Sequence, residues 1–198
     1  MDLENMNAPS KHSKPKFTDF PPIFLVGMMG SGKSYCCKQL VKHLNFNGID
    51  LDALIEERHH QSIANIFEQS GEAYFRKEEA SVLREIGIHS NTIIATGGGT
   101  PCFYQNMQWM NEHGITVWLN TPVNELVQRL WHEKKHRPLI AHFENVNDLE
   151  VFLNKKLEER SVFYSLAHIH MNEITLNIHS LVSGIEQLFK NNFQQNHS

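Results

Sequence analysis

Eight residues constrain this chain more than any other feature: Gly27-Met28-Met29-Gly30-Ser31-Gly32-Lys33-Ser34. They satisfy the pattern G-x-x-x-x-G-K-[ST]. They stand between an apolar run, Ile23-Phe24-Leu25-Val26, and an amphipathic stretch, Ser34 to Leu44, with apolar Leu40, Val41 and Leu44. A strand that runs through such a turn into a helix is the setting in which the pattern holds phosphate. Glycines let the backbone wrap closely and aim successive N–H groups at phosphate oxygens. The helix N-terminus adds the positive end of its dipole. Gly30, Ser31 and Gly32 are therefore expected at a nucleotide, Lys33 at its β- and γ-phosphates, and the Ser34 hydroxyl at a magnesium ion. The alternative is a glycine-rich turn with no ligand, and the strand and helix context speaks against it.

The rest of the sequence suits an α/β chain of one domain. Its 198 residues can bury a real core, and a formal net charge of -4 leaves no domain-wide basic footprint for nucleic acid. An acidic protein can still carry a locally positive site for a small anion. Cys36, Cys37 and Cys102 form no C-x-x-C pair, which fits a reducing cytoplasm. No apolar run approaches ~18 residues, so no membrane partner is expected. Met1 to Phe20 and Asn191 to Ser198 read as polar tails around a kinase-sized domain at residues 21–190.

Short apolar runs alternate with helical patterns, which predicts a five-stranded parallel sheet flanked by helices in three layers. The expected strands are Ile23–Val26, Asn47–Leu51, Thr92–Thr96, Ile115–Leu119 and Ala167–Met171. Helices are expected from Ser34 to Leu44, Leu54 to His60, Ser62 to Gln69, Glu72 to Ile86, Phe103 to Glu112, Asp148 to Leu166, and around Leu181 to Phe189. Thr121-Pro122 reads as an N-cap and first helical residue for another, reaching Leu130. His132 to Asn147 is charged, contains Pro138 and lacks a period, so it reads as a mobile lid loop.

Two further segments bear on the chemistry. Ile49-Asp50-Leu51-Asp52 ends a predicted strand, so Asp50 and Asp52 should project the same way, at the carboxyl ends of the strands, beside the phosphate loop, where ligands gather. One carboxylate can hold magnesium, and the other can take a proton from a substrate hydroxyl. A solvated acidic turn is the competing reading. Gly97-Gly98-Gly99 follows the third strand and permits close approach by a ligand, although a plain flexible turn has the same composition. Arg76, Arg137 and Arg160 carry planar forks suited to carboxylate or phosphate.

Six blocks in order make the pattern recognisable: GMMGSGKS at 27–34, D-x-D at 50–52, GEAYFRKEE at 71–79, TGGG at 96–99, RPL at 137–139, and Arg160 with Tyr164. From about Ile23 to Phe189 the chain resembles the shikimate kinase family, P-loop kinases of the nucleoside-monophosphate-kinase type. The resemblance implies ATP-dependent phosphorylation of the 3-hydroxyl of shikimate, in aromatic amino-acid biosynthesis, by a cytoplasmic monomer. It implies that Asp52 binds the ring hydroxyls and acts as general base, that Arg76 and Arg160 pair with the shikimate carboxylate, and that Gly97, Gly98 and Gly99 line the substrate pocket. Asp50 with Ser34 would hold Mg2+, and Arg137 would close over the transferring phosphoryl group. Arg129 lies near the family's adenine-contacting arginine, with one extra residue between it and Arg137. Tyr35 stands where the family usually has Thr, so a hydroxyl contact to the α-phosphate is either lost or remade there.

Two other readings remain open from sequence: a gluconate- or nucleotide-kinase-like enzyme, and an inactive nucleotide-binding module. The first would lack the Arg76 and Arg160 pair, and intact Lys33, Ser34, Asp50 and Asp52 argue against the second. His168-x-His170 and His59-His60 are not read as metal sites, because no further ligands stand at suitable positions.

Overall fold

A computed structural model describes residues 19–134, 137–172 and 177–192. Five strands, β1 (Ile23–Val26), β2 (Asn47–Asp50), β3 (Thr92–Ala95), β4 (Ile115–Leu119) and β5 (Ile169–Met171), form one parallel sheet in the order β2-β3-β1-β4-β5. β1 lies at the centre, with Leu25 in register with Ala95 on one side and Val117 on the other. All four of its residues are fully buried, as expected of a strand covered on both faces.

The pleat of β1 divides the core. Phe24 and Val26 point to one face, where Ile94 and Trp118 meet α2 (Leu51–His59), α3 (Ile63–Ile86), α4 (Asn106–His113), α5 (Val123–Glu133) and α7 (Val146–Tyr164). Ile23 and Leu25 point to the other, with Ile93, Ala95, Val117 and Leu119, against α1 (Lys33–Leu44) and α8 (Ile178–Asn192). Alternation with period two places a greasy surface on both sides of the sheet, and helices cover both. Each buried Val, Leu, Ile or Phe among them contributes about 1.5–3 kcal/mol by leaving water. The three layers and the five-stranded parallel sheet agree with the sequence expectation.

Several boundaries differ, each for a local reason. β2 stops at Asp50, whose carboxylate accepts from the Ala53 N–H at 3.3 Å and caps α2. Asp52 therefore sits in the first turn of a helix rather than at the end of a strand. Helix α5 starts at Val123, not Pro122, because Pro122 has extended backbone (ψ 146°) and occupies the cap. The Thr121 hydroxyl donates instead to the Ser31 carbonyl, at 3.3 Å. Phe20, expected in the N-terminal tail, is core: it is 1% exposed, stacks near Phe189 (ring centroids 4.2 Å) and accepts from the Asn91 N–H at 2.7 Å. At the other end α8 continues past Lys190 to Asn192.

The expected lid loop is largely structured. α5 reaches Glu133, a short helix α6 (Pro138–Ala141) follows, and α7 begins at Val146. Pro138 opens α6 at its first position, and Ile140 is fully buried, so α6 rests one side chain in the core while Leu139 and Ala141 stay exposed. Residues 135–136 lie outside the described residues, as do most of both tails.

Candidate active site

The carboxyl ends of β1, β2 and β3 open onto a cleft of about 670 Å³. Its floor is the phosphate loop. Gly30 has φ +77°, and a Cβ there would lie 2.9 Å from Leu130, so only glycine fits without a shift. The first helical hydrogen bond runs from Cys36 N–H to the Gly32 carbonyl, so among the described residues the N–H groups of Lys33, Ser34 and Tyr35 have no helical acceptor and can serve an anion. The Ser31 hydroxyl is buried in this wall without a partner among the described residues. A buried unpaired hydroxyl is costly, and a bound phosphate oxygen would satisfy it. Tyr35 also lines the cleft, exposed at the first turn of α1.

Lys33 is folded back on this loop. Its Nζ donates to the Gly27 carbonyl at 2.9 Å and the Met28 carbonyl at 2.8 Å. Burial pushes its pKa down to about 8, against the opposing pull of Asp52 and Asp50. The Ser34 hydroxyl donates to Asp50 Oδ2 at 2.6 Å, so the two expected magnesium ligands already converge. Hydroxyl and carboxylate oxygens are hard donors of the kind magnesium takes. Asp52 is half-buried beside them. Its pKa is pushed up to about 6, first by burial and then by the Glu79 carboxylate, with Lys33 opposing. It is more basic than an ordinary aspartate.

The three glycines connect the nucleotide side to a second group of charges. A Cβ on Gly97 would lie 2.8 Å from Asp52 Oδ1 and 2.9 Å from Glu79 Oε1. One on Gly98 would come within 3.1 Å of Arg160 Nη1, and one on Gly99 within 2.6 Å of Arg76 Nη2. Each glycine is thus pressed by a different charged side chain, so the turn is a close-approach device and not merely a flexible link. Arg76 is held by Glu79 (2.8 Å) and Glu72 (3.2 Å). Arg160 lies beside Tyr164, whose hydroxyl donates to the Gly98 carbonyl.

The structure therefore brings Gly30, Ser31, Gly32, Lys33, Ser34 and Tyr35 together with Asp50, Asp52 and Gly98 around one cleft. Arg76, Gly97, Gly99 and Arg160 adjoin it across the glycine turn. Arg129, near the Gly30 carbonyl (3.4 Å), and Arg137, paired with Glu133 at 2.7 Å, line the same cleft. The sequence reading gave no role to Glu79 or Tyr164. Glu79 is fully buried, receives Arg76 and the Thr100 hydroxyl (2.6 Å), and faces Asp52. Its place three residues after Arg76, on the same helical face, was the available signal.

Elsewhere, the strand expected from Ala167 begins at Ile169, so His168 precedes β5, and its ring accepts from the Thr116 N–H at 3.2 Å. Cys36 and Cys37 are buried in the core, with thiol pKa values pushed up by burial to about 12 and about 11.

Comparison with known proteins agrees with this arrangement. The profile of the shikimate kinase family matches residues 29–189. A shikimate kinase from Bacteroides thetaiotaomicron is 40% identical over 172 residues, which cover 85% of this chain and 98% of that protein. A crystal structure of shikimate kinase from the same species superposes with a TM-score of 0.76 at 38% identity, covering 86% of this chain and 97% of that one. Shikimate kinase from Acinetobacter baumannii, solved in complex with shikimate, gives 0.75 at 34% identity, with 88% and 95% covered. Sequence, fold and the order of the charged groups around the cleft lead to one assignment: this chain belongs to the shikimate kinase family.

Proposed function

We propose that this cleft transfers the γ-phosphoryl group of ATP to the 3-hydroxyl of shikimate, giving shikimate 3-phosphate and ADP for aromatic amino-acid biosynthesis. The observation that carries the reading is the glycine turn: it sets a basic carboxylate, Asp52, and two guanidinium groups, Arg76 and Arg160, against three consecutive residues beside the phosphate loop. A small ring bearing hydroxyls and one carboxylate matches those charges.

In this reading Arg76 and Arg160 hold the substrate carboxylate, and Gly97, Gly98 and Gly99 form the pocket wall. Asp52 accepts the proton of the attacking hydroxyl. The oxygen–phosphorus bond forms as the bond from the γ-phosphorus to the bridging oxygen breaks, and the electron pair leaves on ADP. Gly30, Ser31, Gly32 and Tyr35 cradle the phosphates, and Arg129 lies towards the base. Lys33 leaves the Gly27 and Met28 carbonyls for the β- and γ-phosphates, exchanging two neutral acceptors for charged ones. Arg137 exchanges Glu133 for the transferring phosphoryl group, and residues 132–147 act as the lid. Ser34 and Asp50 would hold Mg2+, which supplies charge neutralisation to the phosphates. The rate gain comes from positioning and electrostatics. We also infer a monomer working in the cytoplasm.

Phosphorus–proton correlated NMR on the product formed from MgATP and shikimate tests the reaction. A single phosphate coupled to the proton on C3 is expected; phosphate at another ring position, or no product, overturns the reading.

A further inference from the structure

Arg76 is constrained on every side but one. Its Nε donates to Glu72 and its Nη1 to Glu79, at 3.2 and 2.8 Å. Its Nη2 faces Gly99, and among the described residues no hydrogen-bond acceptor lies on that atom. Three phenyl rings surround the guanidinium carbon: Phe103 at 4.6 Å from ring centroid to Cζ, Phe75 at 5.1 Å and Phe67 at 5.7 Å. All three lie within the distance at which a cation is attracted to a ring face. Phe67 and Phe75 sit on α3 with Arg76 itself. Phe103 comes from elsewhere: it directly follows the 3-10 turn Thr100–Cys102, which continues the glycine turn. Its ring is thus carried by the same backbone that forms the substrate wall.

We propose that Phe103 is a positioning residue for substrate binding, whose ring fixes the guanidinium plane of Arg76 so that Nη2 presents to the substrate carboxylate past Gly99. The inference rests on the reading of Arg76 as a carboxylate partner. Glu72 cannot do this work, because its side chain is 56% exposed and an exposed pair constrains little. Glu79 fixes one nitrogen but leaves rotation about that contact. The Phe103 ring removes that rotation. Together with Phe67 and Phe75 it also excludes water, which strengthens the pairing of guanidinium with carboxylate.

The test is steady-state kinetics on Phe103→Leu, Phe103→Tyr and Arg76→Ala, with Phe103→Met as a second ring-free variant should the leucine protein not fold. Leucine and methionine keep much of the volume and lose the ring face, whereas tyrosine keeps it. Phe103→Leu is expected to raise the KM for shikimate roughly 3- to 10-fold, with kcat and the KM for ATP within about twofold, and Phe103→Tyr to restore it. In an Arg76→Ala background Phe103→Leu should add nothing further, since both act on one contact. A wild-type shikimate KM in Phe103→Leu while Arg76→Ala raises it overturns the role of Phe103 alone. So does an equal rise in both KM values, or full additivity with Arg76→Ala. An unchanged shikimate KM in Arg76→Ala overturns the assignment of Arg76, and this inference with it.

Discussion

Asp52, Lys33 and Glu79 show how much of the chemistry depends on burial at single positions. Asp52 is a stronger base than a solvated aspartate because burial and Glu79 disfavour its charge, while Lys33 keeps it ionised. Asp52→Asn removes the proton acceptor but not the phosphate loop. Turnover should fall by about 10²–10⁴, with ATP affinity, read by equilibrium titration, little changed; full turnover would remove Asp52 from the mechanism. Arg160→Ala should raise the KM for shikimate roughly 10- to 100-fold, the loss of a charge-assisted hydrogen bond, and far more than the KM for ATP. Equal effects on both would contradict the carboxylate assignment. Glu79→Ala strands buried Arg76 without its closest partner, so thermal unfolding should show a loss of about 3–5 kcal/mol. The places of Asp52 and Lys33 at the cleft were legible in sequence because their motifs put them beside the phosphate loop. Glu79 was not, since its meaning depends on Thr100 and Asp52, and only the fold brings those to it.

At the level of elements, strands and helices were legible wherever an apolar period ran unbroken, as in β1, β4 and α1. The misreadings fall where one residue serves two elements. Asp50 ends β2 and caps α2, so the strand pattern seemed to run on to Asp52. Segment 132–147 lacks a period because, among its described residues, Ile140 is buried on a one-turn helix and only Phe143 packs beside it against the core. The expected break at Gly71 is present as a kink: its φ +80°, ψ 167° interrupts α3. Nothing lies within 4 Å of a Cβ built there, so Gly71→Ala isolates the backbone penalty. A loss of about 1–3 kcal/mol in chemical denaturation is expected; unchanged stability would mean that the kink relaxes. In α1, Cys36 and Cys37 are buried with raised thiol pKa values, and Cys102 is half-buried. A thiol reagent should therefore label at most one cysteine in the native protein and three after unfolding.

For the whole molecule, the net charge of -4 and the cluster of cations are compatible because the sheet concentrates them at one end. Lys33 and Arg137 line the cleft, and Arg76 and Arg160 adjoin it, although the first and last lie 127 residues apart (160 − 33) in the chain. A parallel sheet gathers strand ends from distant segments, which is why six short blocks can form one site. The central claim is the identity of the acceptor. A coupled assay of ADP release, run with MgATP and shikimate, quinate, gluconate or nucleoside monophosphates in turn, measures it directly. ADP release that depends on shikimate, and exceeds that with gluconate or any nucleoside monophosphate, is the predicted result. Release supported by one of those acceptors but not by shikimate would contradict it.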